Sequence, residues 1–410
     1  MSKNVKSIFS SDSGSMCHIF LESELIEIIK HIQKNENFKD ESEVITHLIQ
    51  DYAKKNIKHM DRLEYEISKT SFDGTRNTSS IVTVDALEFD GTVQFQKLEK
   101  ILASVEYKNL IKKLPQHEIY GLSGAAMIHR FHTKILPVKF SLICLSRLIV
   151  ETENPWISLT ELKRYALHSA KIFTKNFNSS SIQNKFKVSA GFPIQEPDVD
   201  VISEDSYLSY ARSSKRFLEQ FVGRKLQKHE GVQMGGACFE LGLIEARTIF
   251  DDKVELTDVI NNSGDIYVTL SDAGKEFLSY KNYLIDFVYG NNQDEPSSIF
   301  SYEETKFYFK KILPKFKFEN DFVEYLMKHE QIEHTRDIKN WFEKQFFNFC
   351  DLEFPDRIND LQENTVRIHS NTIMNRLIEF GVFTKDPKSK SGPYTRRQNL
   401  SDLRSNMSTK

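Results

Sequence analysis

The segment MGGACFELGLIEARTIFDDKVELTDVINNSGDIYVTLSDAGKEFLSY, residues 234–280, decides how this chain is read. Leu241, Gly242, Leu243 and Ile244 close a helix and open a strand, because a glycine just past an apolar helical turn supplies a left-handed C-cap. Asn261, Asn262, Ser263 and Gly264 make a turn. Ile266–Leu270, rich in β-branched and aromatic side chains, returns as a second strand. Ser271 then stands where a hydroxyl caps a further helix, DAGKEFL.

This order, and above all the string YVTLSDAGKEFL, resembles the strand-to-helix exit of winged-helix transcription factors. The resemblance implies a recognition helix before Leu241 and a wing around Asn261–Gly264, on a fold that serves DNA or protein partners. Residues 366–400, VRIHSNTIMNRLIEFGVFTKDPKSKSGPYTRRQNL, follow the same grammar. Ser370 or Asn371 is expected to cap a helix with Ile373, Leu377 and Ile378 on one face; Gly381 stops it and Val382–Thr384 begins a strand. Within 385–410, seven Lys and Arg face only Asp386 and Asp402, a surplus of five positive charges on a nearly neutral chain. The resemblance places Arg367, His369, Asn371, Asn375 and Arg376 on or beside a recognition helix, and Lys388, Lys390, Arg396 and Arg397 on a basic wing. A third stretch, 139–177, has helix–turn–helix spacing: Ser158 or Thr160 begins its second helix, and Lys163, Arg164, His168, Lys171 and Lys175 recur along it. Lys163, Arg164 and Lys171 are the nucleic-acid candidates there, against the plainer reading of a solvated face.

Residues 16–56 form a separate module. Cys17, Ile19 and Leu21 alternate with His18 and Phe20 as in a strand, and Leu25, Ile28, Ile29 and Ile32 then keep helical period. Asp40 and Glu43 make a capping box for a second helix carrying Val44, Ile45, Leu48, Ile49 and Tyr52. One short strand leaves its hydrogen bonds unmet, so pairing with a second copy is expected. The order of strand, LESEL, helix, FKDESEVI and helix resembles the ribbon-helix-helix family of DNA-binding proteins. That resemblance implies a homodimer through the N-terminal strand, with Met16, His18 and Phe20 facing a groove and Ser42 beside a phosphate. The module departs from the family in charge: residues 16–60 carry eight acidic side chains against six lysines, and the strand has neither Lys nor Arg.

The expected fold class is mainly α with small β elements, an N-terminal ribbon-helix-helix followed by winged-helix-type α+β domains. The boundaries read as a disordered tail at 1–15, the dimerisation module at 16–60, a linker and connecting segment at 61–94, and a helical domain at 95–178. A winged-helix-like domain at 206–289, a helical domain ending in a winged-helix-like unit at 299–400, and a basic tail at 401–410 complete it. The net charge of −3 counts against a protein that coats nucleic acid indiscriminately, yet leaves room for local basic patches. Four cysteines spread along the chain without a CxxC pair give no zinc or redox motif, and suit a reducing, cytoplasmic setting. The N-terminus lacks the apolar core of a signal peptide, and the apolar run at 140–150 is too short to span a bilayer.

Enzymatic readings fare poorly. GLSGAA (121–126) and GVQMGGA (231–237) are not P-loops. Asp198, Asp200, Glu204 and Asp205 read as a solvated linker, and His129 with His132 as a surface pair. No catalytic residue, metal or cofactor is therefore expected. The partner expected is double-stranded DNA, with no membrane. The alternative is a protein-interaction or assembly module that touches DNA little.

Overall fold

A computed structural model describes residues 5–9, 16–20, 89–103, 112–113, 127–128, 132–186, 188, 191–195, 204–228, 231–248, 266–353, 363–386 and 392–405. Two compact units divide the chain, Met1–Ser79 and Ser80–Lys410. In the first, β1 (Val5–Phe9) pairs antiparallel with β2 (Met16–Phe20), His18 lying opposite Ser7. The expected strand is present, and its partner is a segment of the same chain that was expected to be a tail. The two helices expected within 21–60 lie outside the described residues.

The second unit is mainly helical with small antiparallel sheets. After α1 (Phe95–Ala103) and β3 (Lys112–Lys113) comes α2 (Leu136–Thr152), with 14 buried residues out of 17. A helix apolar on every side belongs in the middle of a core, and the run at 140–150 has this explanation. Among the described residues no helix is long and apolar enough to cross a membrane. Phe140 projects from α2 onto Phe89, Phe173 and Phe192, with ring centroids 4.7–5.4 Å apart. Next come β4 (Ile157–Ser158) and α3 (Leu159–Asn178), whose first turn is capped by Ser158. The chain continues through α4 (Glu204–Arg216), a π-helical turn (Phe217–Val222) and a hairpin of β5 (Arg224–Lys228) with β6 (Gly231–Gly235). A single turn, α5 (Ala237–Glu240), then leads into β7 (Ile244–Thr248), and β8 (Ile266–Leu270) returns beside it. The sheet order is β3-β7-β8-β4.

Helices α6 (Asp272–Ser279), α7 (Tyr283–Val288) and α8 (Tyr302–Phe307) connect this block to a second one. The second block comprises α9 (Lys317–Leu326), β9 (Gln331–Ile332), α10 (Thr335–Glu353), α11 (Glu363–Glu379), β10 (Phe383–Lys385) and β11 (Tyr394–Arg396). A short helix, α12 (Leu400–Arg404), follows. Its three-stranded sheet runs β10-β11-β9. Setting aside α4, the π-helical turn and the β5–β6 hairpin, which the first block inserts, both blocks follow one order of helix, short strand, two helices and two strands. β8 lies between β7 and β4, with β3 added at the sheet edge, as β11 lies between β10 and β9.

Small details repeat as well. Gly242 and Gly381 adopt φ of 71° and 68°, and Leu243 N and Val382 N each donate to the carbonyl five residues back (both 2.9 Å). That is the helix-ending motif which a left-handed glycine permits. Ser271 N donates to Leu243 O, and Arg397 N to Val382 O, so each returning segment is tied at the same place. The expected cap is present too: Ser271 Oγ accepts from Gly274 N and donates to Gly242 O.

Gly274 is required for space, since a Cβ there would lie 2.0 Å from Leu243 O. Gly274→Ala should destabilise the protein by about 3 kcal/mol, the upper part of the range for overpacking. A denaturant midpoint within error of wild type would refute that account. Burial also pushes the phenols of Tyr165, Tyr289 and Tyr308 upward, and that of Tyr280 up to about 12. An unfolded tyrosine ionises near pH ~10, so the unfolded chain loses protons first and stability falls as the pH rises beyond that value. The tyrosine contribution to midpoints measured in urea should drop steadily above about pH 10.

Candidate nucleic-acid interface

Helix α11 and the hairpin that follows carry most of the candidate residues. Steps of four residues lay side chains along one helical face. Arg367 and Asn375 are exposed and Asn371 is half-buried on such a stripe, with Val366, Ile373 and Leu377 turned into the core. The stripe runs about 12 Å along the helix axis. Beside it, β10 and β11 pair Phe383 with Arg396 and Lys385 with Tyr394. The Lys385 amine lies 5.4 Å from the centre of the Tyr394 ring, and exposed Arg397 donates through Nε to Thr384 Oγ1 (3.1 Å). Lys388 and Lys390, in the connecting loop, lie outside the described residues, as does Ser42. Among the described residues, Glu330 and Glu333 flank β9 and Asp386 follows β10.

Several expectations require correction. His369 is buried and Arg376 is 1% exposed, so neither is on the groove-facing surface; the Arg376 guanidinium is held inside. Its Nη2 pairs with Glu319 Oε1 (2.5 Å) and its Nη1 donates to the carbonyl of His132 (2.8 Å). Arg396 is half-buried and donates through Nη1 to Met327 O, so its charge serves the junction with α9. Ser370 and Asn371 do not cap a helix. The helix begins at Glu363, and Ser370 Oγ bonds back to Arg367 O (3.2 Å) inside it. His132 is 3% exposed, not part of a surface pair, and its Nε2 lies 2.6 Å from Glu240 Oε2.

On α3, exposed His168 and Lys175 alternate with half-buried Arg164 and Lys171, and the Lys171 amine sits 5.1 Å from the Tyr210 ring centre. Burial pulls the Lys163 amine below its ordinary value, with Glu219 opposing. The recognition helix expected before Leu241 is the single turn α5, and its Cys238 and Phe239 are buried. Met16, His18 and Phe20 alternate along β2, with Phe9, Ser7 and Val5 as their register partners.

No protein-family model, curated protein or solved structure matches this chain. Among the described residues no cluster of His, Cys, Asp and Glu could hold a metal ion.

Two charged centres escaped sequence reasoning because each gathers residues far apart in the chain. In the first, Glu319 accepts from Arg376 Nη2, the amide of Ile128 (3.0 Å) and the hydroxyl of Tyr308 (3.4 Å), while Glu379 accepts from the amides of Ile135 (2.6 Å) and Leu136 (3.2 Å). In the second, the amine of Lys139 meets Glu304 (3.1 Å) and the carbonyls of Phe277 and Tyr280, and Asn282 completes the Glu304 shell. Desolvation lowers the Lys139 amine and raises the Glu304 carboxyl, the attraction between the two opposing both shifts. The one sequence signal was Lys139 itself, a lone charge in LPVKFSLICLS.

Removing one partner of a buried pair leaves the other charge unmet, at a cost of about 3–5 kcal/mol. Arg376→Met should lower stability by that amount. Arg376→Met combined with Glu319→Gln should recover part of the loss, because the amide oxygen still accepts from Ile128. Equal stabilities of the single and double variants in chemical denaturation would contradict the pairing.

Proposed function

We propose that this chain is a dimeric, cytoplasmic transcriptional regulator that binds duplex DNA through winged-helix and ribbon-helix-helix elements. The observation that carries the reading is the stripe of Arg367, Asn371 and Asn375 on a helix whose Val366, Ile373 and Leu377 are buried, next to a hairpin bearing Lys385 and Arg397. Arginine and asparagine are the side chains whose paired hydrogen bonds suit guanine and adenine edges in the major groove. A lysine and an arginine on an adjoining hairpin suit phosphates, which hold the register without reading sequence. The repeated helix and strand order, with the last strand central in each sheet, supports the winged-helix resemblance of both blocks. The N-terminal strand contributes dimerisation through the second edge of β2, which pairs with no other strand among the described residues.

The first block favours a second reading for itself. Its α5 is too short and too buried to enter a groove, which suits a protein-binding or scaffolding role. In that division the second block reads and the first supports it.

Fluorescence anisotropy on selected and random duplexes, across a salt series, tests the proposal. Replacing Lys385 and Arg397 with alanine should weaken binding to both duplexes alike and reduce the salt slope by about 0.9 for each phosphate no longer neutralised. Replacing Asn371 and Asn375 with alanine should cost about 1–3 kcal/mol for each base edge no longer read, on the selected duplex only. Absence of binding to any duplex at low salt would overturn the proposal in favour of the interaction-module reading.

A further inference from the structure

Helix α11 has an inner side as specific as its outer one. Arg376 lies nine residues beyond Arg367, which at about 100° per residue is the opposite side of the helix. There its guanidinium donates to the carbonyl of His132 and pairs with Glu319. Three residues later, Glu379 accepts from the amides of Ile135 and Leu136. The last turn of α11 is thereby fastened to residues 132–136, the strap that leads into α2. The same strap is held from the first block, where His132 Nε2 meets Glu240 Oε2. Glu240 and Glu379 stand at equivalent places in the two blocks, each two residues before the glycine that ends its helix.

We propose that Arg376 and Glu379 are positioning residues: through the strap at 132–136 they use the first block as an anchor that sets the pitch of α11, and so the placement of Arg367, Asn371 and Asn375 on DNA. The inference rests on the duplex-binding reading above. Its force comes from leverage. Twelve residues separate Glu379 from Arg367, about 18 Å of helix. A tilt of about 5° at the fastened end moves the far end by about 1.5 Å over that length. Paired hydrogen bonds of a reading site tolerate about 0.5 Å. A loosened strap therefore leaves the helix folded and the reading side chains misplaced.

The test compares full-length wild type with Glu379→Gln and Arg376→Lys. Glutamine has the same size, lacks the charge and can accept from only one of the two amides. Burial pushes the Glu379 carboxyl upward, so a neutral side chain suits the site. Lysine keeps the positive charge of Arg376 without the fork that reaches two partners. The quantity read is the ratio of affinities for a selected and a random duplex, with circular dichroism to establish that each variant is folded. The expected result is a fall in that ratio of about tenfold or more, what one misplaced base-reading side chain costs, with binding to random duplex nearly unchanged. A role in stability alone would lower both affinities together through the folded fraction and keep the ratio constant. That outcome overturns the inference. Should either variant fail to fold, Glu240→Gln, which loosens the strap from the opposite side, carries the same expectation. If wild type binds no duplex, the duplex-binding reading fails first; if it binds and the folded variants keep its ratio, the positioning inference alone fails.

Discussion

A helix without a polar face must find every polar contact elsewhere in the chain, and α2 sets that condition for the whole second unit. Its side chains are buried nearly all round, yet it starts with free amides at Ile135 and Leu136 and carries Lys139 in its second turn. Neither can be left bare, because an unmet buried donor costs about 1–3 kcal/mol and an unmet charge more. Both needs are met by carboxylates from far along the chain. Glu379 caps the first turn, where the helix dipole also favours a negative charge, and Glu304 neutralises the lysine. The two blocks are consequently not beads on a string: the second completes the hydrogen bonding of the first.

That arrangement explains a division of labour between two blocks of similar plan. The helix before the last two strands of each block, α5 and α11, ends with a glutamate, an apolar residue and a left-handed glycine. In the first block this helix has shrunk to one turn, and Glu240 faces inward to His132. In the second it runs 17 residues, long enough to bury one side and present another. The likeness is one of backbone pattern and closing bonds, and the two helices differ in length and in what they expose.

What was legible in the sequence was decided by near neighbours. Ser158 and Ser271 cap because a hydroxyl beside an apolar periodic run has free amides two or three residues on. Gly242 and Gly381 end helices because only the missing Cβ makes a left-handed residue cheap there. The inward turn of Arg376 was not legible: nothing in NRLIEFG separates it from an outward arginine, and its partner Glu319 lies 57 residues away. Arg396 was misread for the same reason, its acceptor at Met327 being 69 residues distant. Ser370 and Asn371 looked like caps because their side chains compete locally with helix formation. The burial of Val366 one turn earlier and of His369 just before them carries the helix through them. In the N-terminal unit the strand was foreseen, and its pairing within the chain was not.

The distance between α2 and its cap also bears on how the protein is made. Glu379 is 243 residues downstream of Leu136. At a translation rate of about 5–20 residues per second, α2 leaves the ribosome about 10–50 seconds before its first turn can be capped. Through that interval a thoroughly apolar helix has neither its terminal acceptor nor, until Glu304 is made, a counter-ion for Lys139. Chaperones have a defined window in which to shield it. A chain cut short before residue 379 keeps that defect permanently.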